Sequence, residues 1–215
     1  SDHIADYGTL LLRSWASGLT TDVQTFGPPP LAQMTQDYLD FASWDINLRV
    51  ENENHPNLMK MVHPTEVASD GVVYQDENVK VTAFLVDHRE VKPALGYRFD
   101  TADKSVVFSG DTRFNENLIR HAQGADILVH EVVSEEGAKA IAERISPGNK
   151  EFLAHIIEAH TTAEQVGEVA RRAQVGKLVL NHFVPTGIPA FDNPDHWVQG
   201  VRKTYAGDLV IGEDL

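Results

Sequence analysis

The feature that most constrains this chain is residues 105–112, Ser-Val-Val-Phe-Ser-Gly-Asp-Thr. Residues 105–108 are a short apolar run bounded by turn residues, the pattern of a fully buried strand. Ser109-Gly110 lets the backbone turn sharply, and the chain then presents the Asp111 carboxylate. A carboxylate at the exit of a buried strand is costly unless a cation meets it. Three further runs end alike. Residues 79–87 (VKVTAFLVD) deliver His88, residues 177–181 (KLVLN) deliver His182, and residues 127–129 (ILV) deliver His130 and Glu131. Open α/β sheets build their sites at the carboxyl ends of strands. Imidazole nitrogens and carboxylate oxygens together suit zinc, iron or manganese.

The absence of cysteine among 215 residues sharpens this, because disulfides and thiolate metal sites are excluded. Hydrophobic residues make up 42%, enough for a core, which argues against disorder. Lys and Arg number 18 against 32 Asp and Glu, so the net charge is −14. That charge disfavours a polyanion partner, although bound metal would make a pocket locally positive. No run is long enough to span a membrane, and no signal peptide is visible.

Along the chain, residues 4–19 carry an apolar helical stripe, residues 22–26 read as a strand, and Gly27-Pro28-Pro29-Pro30 ends it. A helix is expected over 31–48 and a polar loop over 51–56. Strands over 62–67, 71–74, 79–87, 95–99 and 105–108 suggest a meander. A helix over 115–122 has Asn115 as its cap. A strand follows at 125–129, then helical segments over 134–145 and 151–158. Thr161-Thr162-Ala163-Glu164 reads as a capping box with Thr161 at N-cap and Glu164 at N3, opening a helix that ends near Ala173. A strand to Asn181, a loop over 184–194, a helix over 195–204 and a strand over 208–211 complete a single domain, 1–215.

Six short motifs in register resemble the metallo-β-lactamase superfamily, in its branch near ribonuclease Z. Ser1-Asp2-His3 resembles the end of that family's His-x-His-x-Asp-His signature. Val86-Asp87-His88 with Gly96-Tyr97-Arg98, Ser109-Gly110-Asp111-Thr112, Val129-His130-Glu131, Ala159-His160-Thr161-Thr162 and Asn181-His182-Phe183 resemble the later motifs. The two histidines that open the signature precede Ser1 in the family. The chain is therefore expected to be N-terminally incomplete. The fold implied is α/β, a metallo-β-lactamase-like αββα sandwich lacking its N-terminal strands in this chain.

The resemblance implies two divalent metal ions, zinc first, with manganese or iron as alternatives. Asp2, His3, Asp111 and His182 would bind one ion. His88 and Asp111 would bind the other together with the two upstream histidines, Asp111 bridging. Such a pair lies about 3.5–4 Å apart and holds a hydroxide as nucleophile. His160 would donate a proton to the leaving group, Glu131 would fix its tautomer, and Asp2 would orient the hydroxide. Read alone, His88 is an ordinary core or surface residue and Glu131 an edge carboxylate. His130 reads as packing behind Glu131. His55, His63, His121, His155 and His196 read as structural or solvent-facing.

The leading expectation is hydrolysis of an ester-type bond (lactone, sulfate ester, phosphodiester or β-lactam) in a small-molecule substrate. Nucleic acid is disfavoured by charge and by the short connection from residue 99 to 107, where many ribonuclease Z enzymes carry a protruding arm. No membrane partner is expected, a homodimer is, and the location expected is cytoplasmic, with export as the alternative because the true N-terminus is expected to be missing. The alternatives are a tRNA 3′-end endonuclease of the ribonuclease Z type and a non-catalytic fragment with an incomplete metal site.

Overall fold

The computed structural model describes residues 2–185, 187–189, 191 and 193–213, with the backbone alone at Asp2. Two compact units divide the chain, Ser1–Ala68 and Ser69–Leu215. Among the described residues, no helix is long and apolar enough to cross a membrane.

The first unit opens with a 3-10 turn, Asp2–Ile4, and continues through α1 (Tyr7–Ala16), β1 (Val23–Gly27), α2 (Leu31–Phe41), α3 (Ser43–Glu53), a second 3-10 turn (Leu58–Lys60) and β2 (Val62–Glu66). β1 and β2 pair in parallel, Val23 opposite Val62 and Gly27 opposite Glu66. The run at 62–67 therefore leaves the expected meander. A parallel pair needs a long crossover, and α2 and α3 supply it. Trp15, Ile46 and Leu58 are fully buried at the centre of this unit. The Trp15 indole N–H donates to the Pro56 carbonyl at 2.7 Å. The helix expected over 31–48 is interrupted at Ala42 and then runs on to Glu53, where Asn54 caps it at φ 58°. Glu51-Asn52-Glu53 is helical rather than loop because Arg49 ion-pairs with both Asp45 and Glu53, one turn away on either side.

The second unit contains β3 (Gly71–Gln75), β4 (Val79–His88), β5 (Val91–Thr101), β6 (Ser105–Phe108), α4 (Glu116–His121), β7 (Ile127–Val133), α5 (Glu135–Ile145), α6 (Lys150–Ala159), α7 (Ala163–Ala173), β8 (Lys177–Val184), α8 (Pro194–Arg202) and β9 (Asp208–Ile211). Its seven strands lie in one sheet in sequence order. β3 to β6 form an antiparallel meander, and β6 to β9 run parallel with helical crossovers. The result is a mixed α/β architecture in which a multi-strand sheet is flanked by helices, as expected for the class.

Packing explains the arrangement. Val107, Leu128 and Leu178 of the central strands are fully buried against Leu118 of α4, Val166, Val169 and Ala170 of α7, and Val201 of α8. The α7 residues recur at three- and four-residue spacing, the stripe of a helix that buries one face. Polar residues seal the helix starts. Asn115 accepts from the Asn117 and Leu118 amides, and Asn149 accepts from Phe152. The box opening α7 is displaced by one residue: Thr162 is the N-cap and Gln165 the N3 partner. Thr161 is held elsewhere, as described next.

Candidate active site

The strand ends of the second unit converge. After β6, Gly110 takes φ +60°, and a Cβ there would lie 2.5 Å from the Leu95 carbonyl oxygen. Only glycine tolerates both conditions, so the turn that lifts Asp111 out of the sheet is set by the sequence. Asp111 ends with a side chain 13% exposed, its Oδ1 3.5 Å from His182 Nδ1. His182 adopts φ 41°, rare for a residue with a Cβ. It lies where the β7–β8 register slips, His130 pairing with Leu180 but Val132 with Phe183. The extra residue on β8 is a bulge, and bulges beside sites re-aim side chains.

At the end of β4, the His88 ring lies 3.0 Å through Nδ1 from the Ala159 carbonyl oxygen. A carbonyl only accepts, so Nδ1 carries the proton and Nε2 keeps its lone pair for a cation. One ligand atom each from His88, Asp111 and His160 lies within 4.8 Å of the others, and the same holds for Glu131, His160 and His182. Nitrogen and carboxylate oxygen at such spacing suit a divalent metal of the zinc type, so the donor set fits.

Glu131 is almost fully buried, and three donors surround it. Its Oε1 accepts from the Thr161 amide at 2.8 Å and its Oε2 faces His160 Nδ1 at 3.1 Å. The Thr112 amide supplies a further hydrogen bond. Burial pushes the Glu131 carboxyl well above the usual carboxylate range, the Asp111 charge adds to this, and the two amides oppose it. Burial lowers the His160 imidazole, and Asp111 opposes that. The two groups therefore compete for one proton. Thr161 also donates its hydroxyl to the Thr112 carbonyl at 2.5 Å, tying the turn after β6 to the start of α7. Thr112 and Thr161 are fully buried, Ser109 nearly so, and all three support the site. None was assigned a role from sequence, although all three lie within the motifs Ser109-Gly110-Asp111-Thr112 and Ala159-His160-Thr161-Thr162.

Five of the residues named from sequence thus gather here: His88, Asp111, Glu131, His160 and His182. His3 lies exposed in the 3-10 turn of the first unit. The Asp2 side chain lies outside the described residues.

His130 points into the core with no exposed surface, and burial lowers its imidazole to about 4, against an opposing hydrogen bond to the Glu131 carbonyl. Its proton affinity in the fold is below that of the unfolded chain, where it is about 6.5. Stability is therefore complete above about pH 6.5 and lost as pH falls toward 4, by roughly 3 kcal/mol. The urea midpoint of the native chain should drop more between about pH 7 and pH 4.5 than that of His130→Asn, which has no such titration. Equal drops would contradict this.

Comparison with known proteins bears on the family and the fold. A family model described as a beta-lactamase superfamily domain matches residues 1–183. Ribonuclease Z of Mycolicibacterium gilvum is 34% identical over 218 residues, covering 100% of this chain and 73% of that protein. Ribonuclease Z of Mycobacterium avium is 32% identical over 218 residues, covering 100% and 74%. Among solved structures, the metallo-beta-lactamase fold protein YhfI from Bacillus subtilis has a TM-score of 0.63 at 17% identity, covering 99% of this chain and 70% of that one. The short form of human tRNase Z has a TM-score of 0.61 at 15% identity, covering 96% and 70%. At such identities the two structures carry the fold alone.

Proposed function

The chain belongs to the beta-lactamase superfamily, in its ribonuclease Z-like branch, and on that premise we propose that it is a metal-dependent endonuclease acting at the 3′ ends of tRNA. That it is a hydrolase follows from the family. The observation that carries the finer reading is the buried Glu131–His160 pair set against the donors of His88, Asp111 and His182. Relatives named Ribonuclease Z match the whole chain, which supports RNA as the substrate.

This corrects the expectation of a small-molecule substrate with nucleic acid disfavoured. That expectation rested on the net charge of −14 and on the short connection from residue 99 to 107. A whole-chain charge does not set the potential at one site, where divalent cations invert the local sign.

Family membership implies divalent metal. We propose two ions, zinc first, held by His88, Asp111 and His182 within the second unit. The motif resemblance adds Asp2 and His3 as ligands and gives Asp2 its orienting role. We likewise propose that residues 1–215 form one domain. Divalent cations supply a water of lowered pKa and charge for the phosphoryl oxygens.

The rest falls to the protein. His88 is fixed in one tautomer by Ala159. The bulge fixes His182. Glu131 holds His160 through Nδ1, which leaves Nε2 to protonate the departing oxygen. Burial weakens the hold of His160 on its proton, so transfer costs less. The neighbouring carboxyl keeps a proton within reach.

His160→Ala, which leaves His88, Asp111 and His182 in place, should bind a tRNA precursor with an affinity that falls steeply with salt, as counterion release requires. Binding no tighter than to an uncharged polymer, or independent of salt, would reject the RNA reading.

A further inference from the structure

His130 is a polar side chain with no exposed surface, and its Nε2 has no hydrogen-bond partner among the described residues. It sits on β7 between Leu128 and Val132, both fully buried in the apolar core. A leucine or valine would suit that face without an orphaned nitrogen. A buried acceptor left bare calls for a compensating role.

The other ring nitrogen shows what that role is. Nδ1 lies 2.7 Å from the carbonyl oxygen of Glu131. The oxygen can only accept, so Nδ1 carries the proton and the bare Nε2 is the consequence. Glu131 lies where the β7–β8 register slips, so its peptide is poorly constrained by regular pairing. Both of its backbone groups are met by side chains: the N–H by Ser109 Oγ at 3.1 Å, and the C=O by His130. The Glu131 carboxylate then reaches His160 from that backbone.

We infer that His130 is a positioning residue, whose Nδ1–H on the Glu131 carbonyl fixes the peptide from which Glu131 is aimed at His160. The inference rests on the acid role proposed for His160. A ring behind the strand thereby orders a catalytic pair on the side of the strand it does not touch.

Three measurements test it. In the native protein, nitrogen chemical shifts of His130 should report the Nδ1–H tautomer. An Nε2–H tautomer would overturn the inference without any variant. His130→Leu fills the core but removes the donor. It should retain metal and KM, lower kcat by about 10–100-fold, and broaden the His160 Nδ1 proton resonance. His130→Asn places an amide N–H near the position of Nδ1 and should restore kcat to within a few-fold along with the resonance, whereas His130→Gln places it at the Nε2 position and should not. A residue that merely fills the core would give the reverse order, leucine above asparagine, and that result would also overturn the inference. The resonance does not depend on turnover. If the native protein shows it but cleaves no RNA, the functional reading fails and the positioning claim stands.

Discussion

Replacing Asp111 with alanine is expected to abolish metal binding and hydrolysis together. Asp111 presents its carboxylate at the rim of the second unit, within reach of His88, His160 and His182. Its position depends on Gly110 at φ +60°, hard against the β5 backbone, so the turn has no second way to present an acid. Removing a residue that only supports a ligand typically costs about 10–100-fold in affinity or activity. Losing a carboxylate that itself contacts the cation should cost more than about 100-fold in both. Elemental analysis and an RNA-cleavage assay on the same preparation check this. The side chain takes no part in the buried apolar core, so the variant should fold. Metal content and activity at native levels in Asp111→Ala would reject the assignment.

His160→Ala should behave differently. Metal should remain bound, because His88, Asp111 and His182 still offer their atoms, while kcat falls by about 10²–10⁴-fold, the range for a lost general acid. The pH profile separates this from a packing defect. The imidazole must be protonated to act, so the rate falls as pH rises through the apparent pKa of the Glu131–His160 pair. Burial lowers the His160 imidazole and raises the Glu131 carboxyl, so the limb belongs to the pair and not to either residue. Glu131→Gln removes the carboxylate that favours the imidazolium, so the limb should move to lower pH. A limb that stays in place in Glu131→Gln, or a His160→Ala enzyme of normal rate, would remove the pair from the mechanism.

Much of the site was legible because strand patterns and chemistry coincide: an apolar run followed at once by His, Asp or Glu reads the same in sequence as in space. Asp111, His88 and His182 belong to this class. What local sequence could not supply was the choice between equivalent partners. Thr161 and Thr162 each stand three residues before a Glu or Gln, so either could begin α7. The choice is made by Glu131, which takes the Thr161 amide and leaves Thr162 to cap the helix. The strands at 23–27 and 62–66 were both visible, but their parallel pairing was not, since partners across a crossover leave no local mark. The aim of His182 depends on a bulge and a left-handed φ that its own identity does not signal. The substrate class was misread because charge summed over the chain stood in for charge at the site, and because a short 99–107 connection was taken to speak against RNA.

The most direct test of the central claim, that these strand ends form a metal-dependent RNA-cleaving centre, is incubation of the zinc-loaded chain with a tRNA precursor carrying a 3′ extension. The expected result is release of that extension, lost on chelation, restored by added metal and absent in Asp111→Ala. A precursor that stays intact while the protein retains its metal would contradict the account.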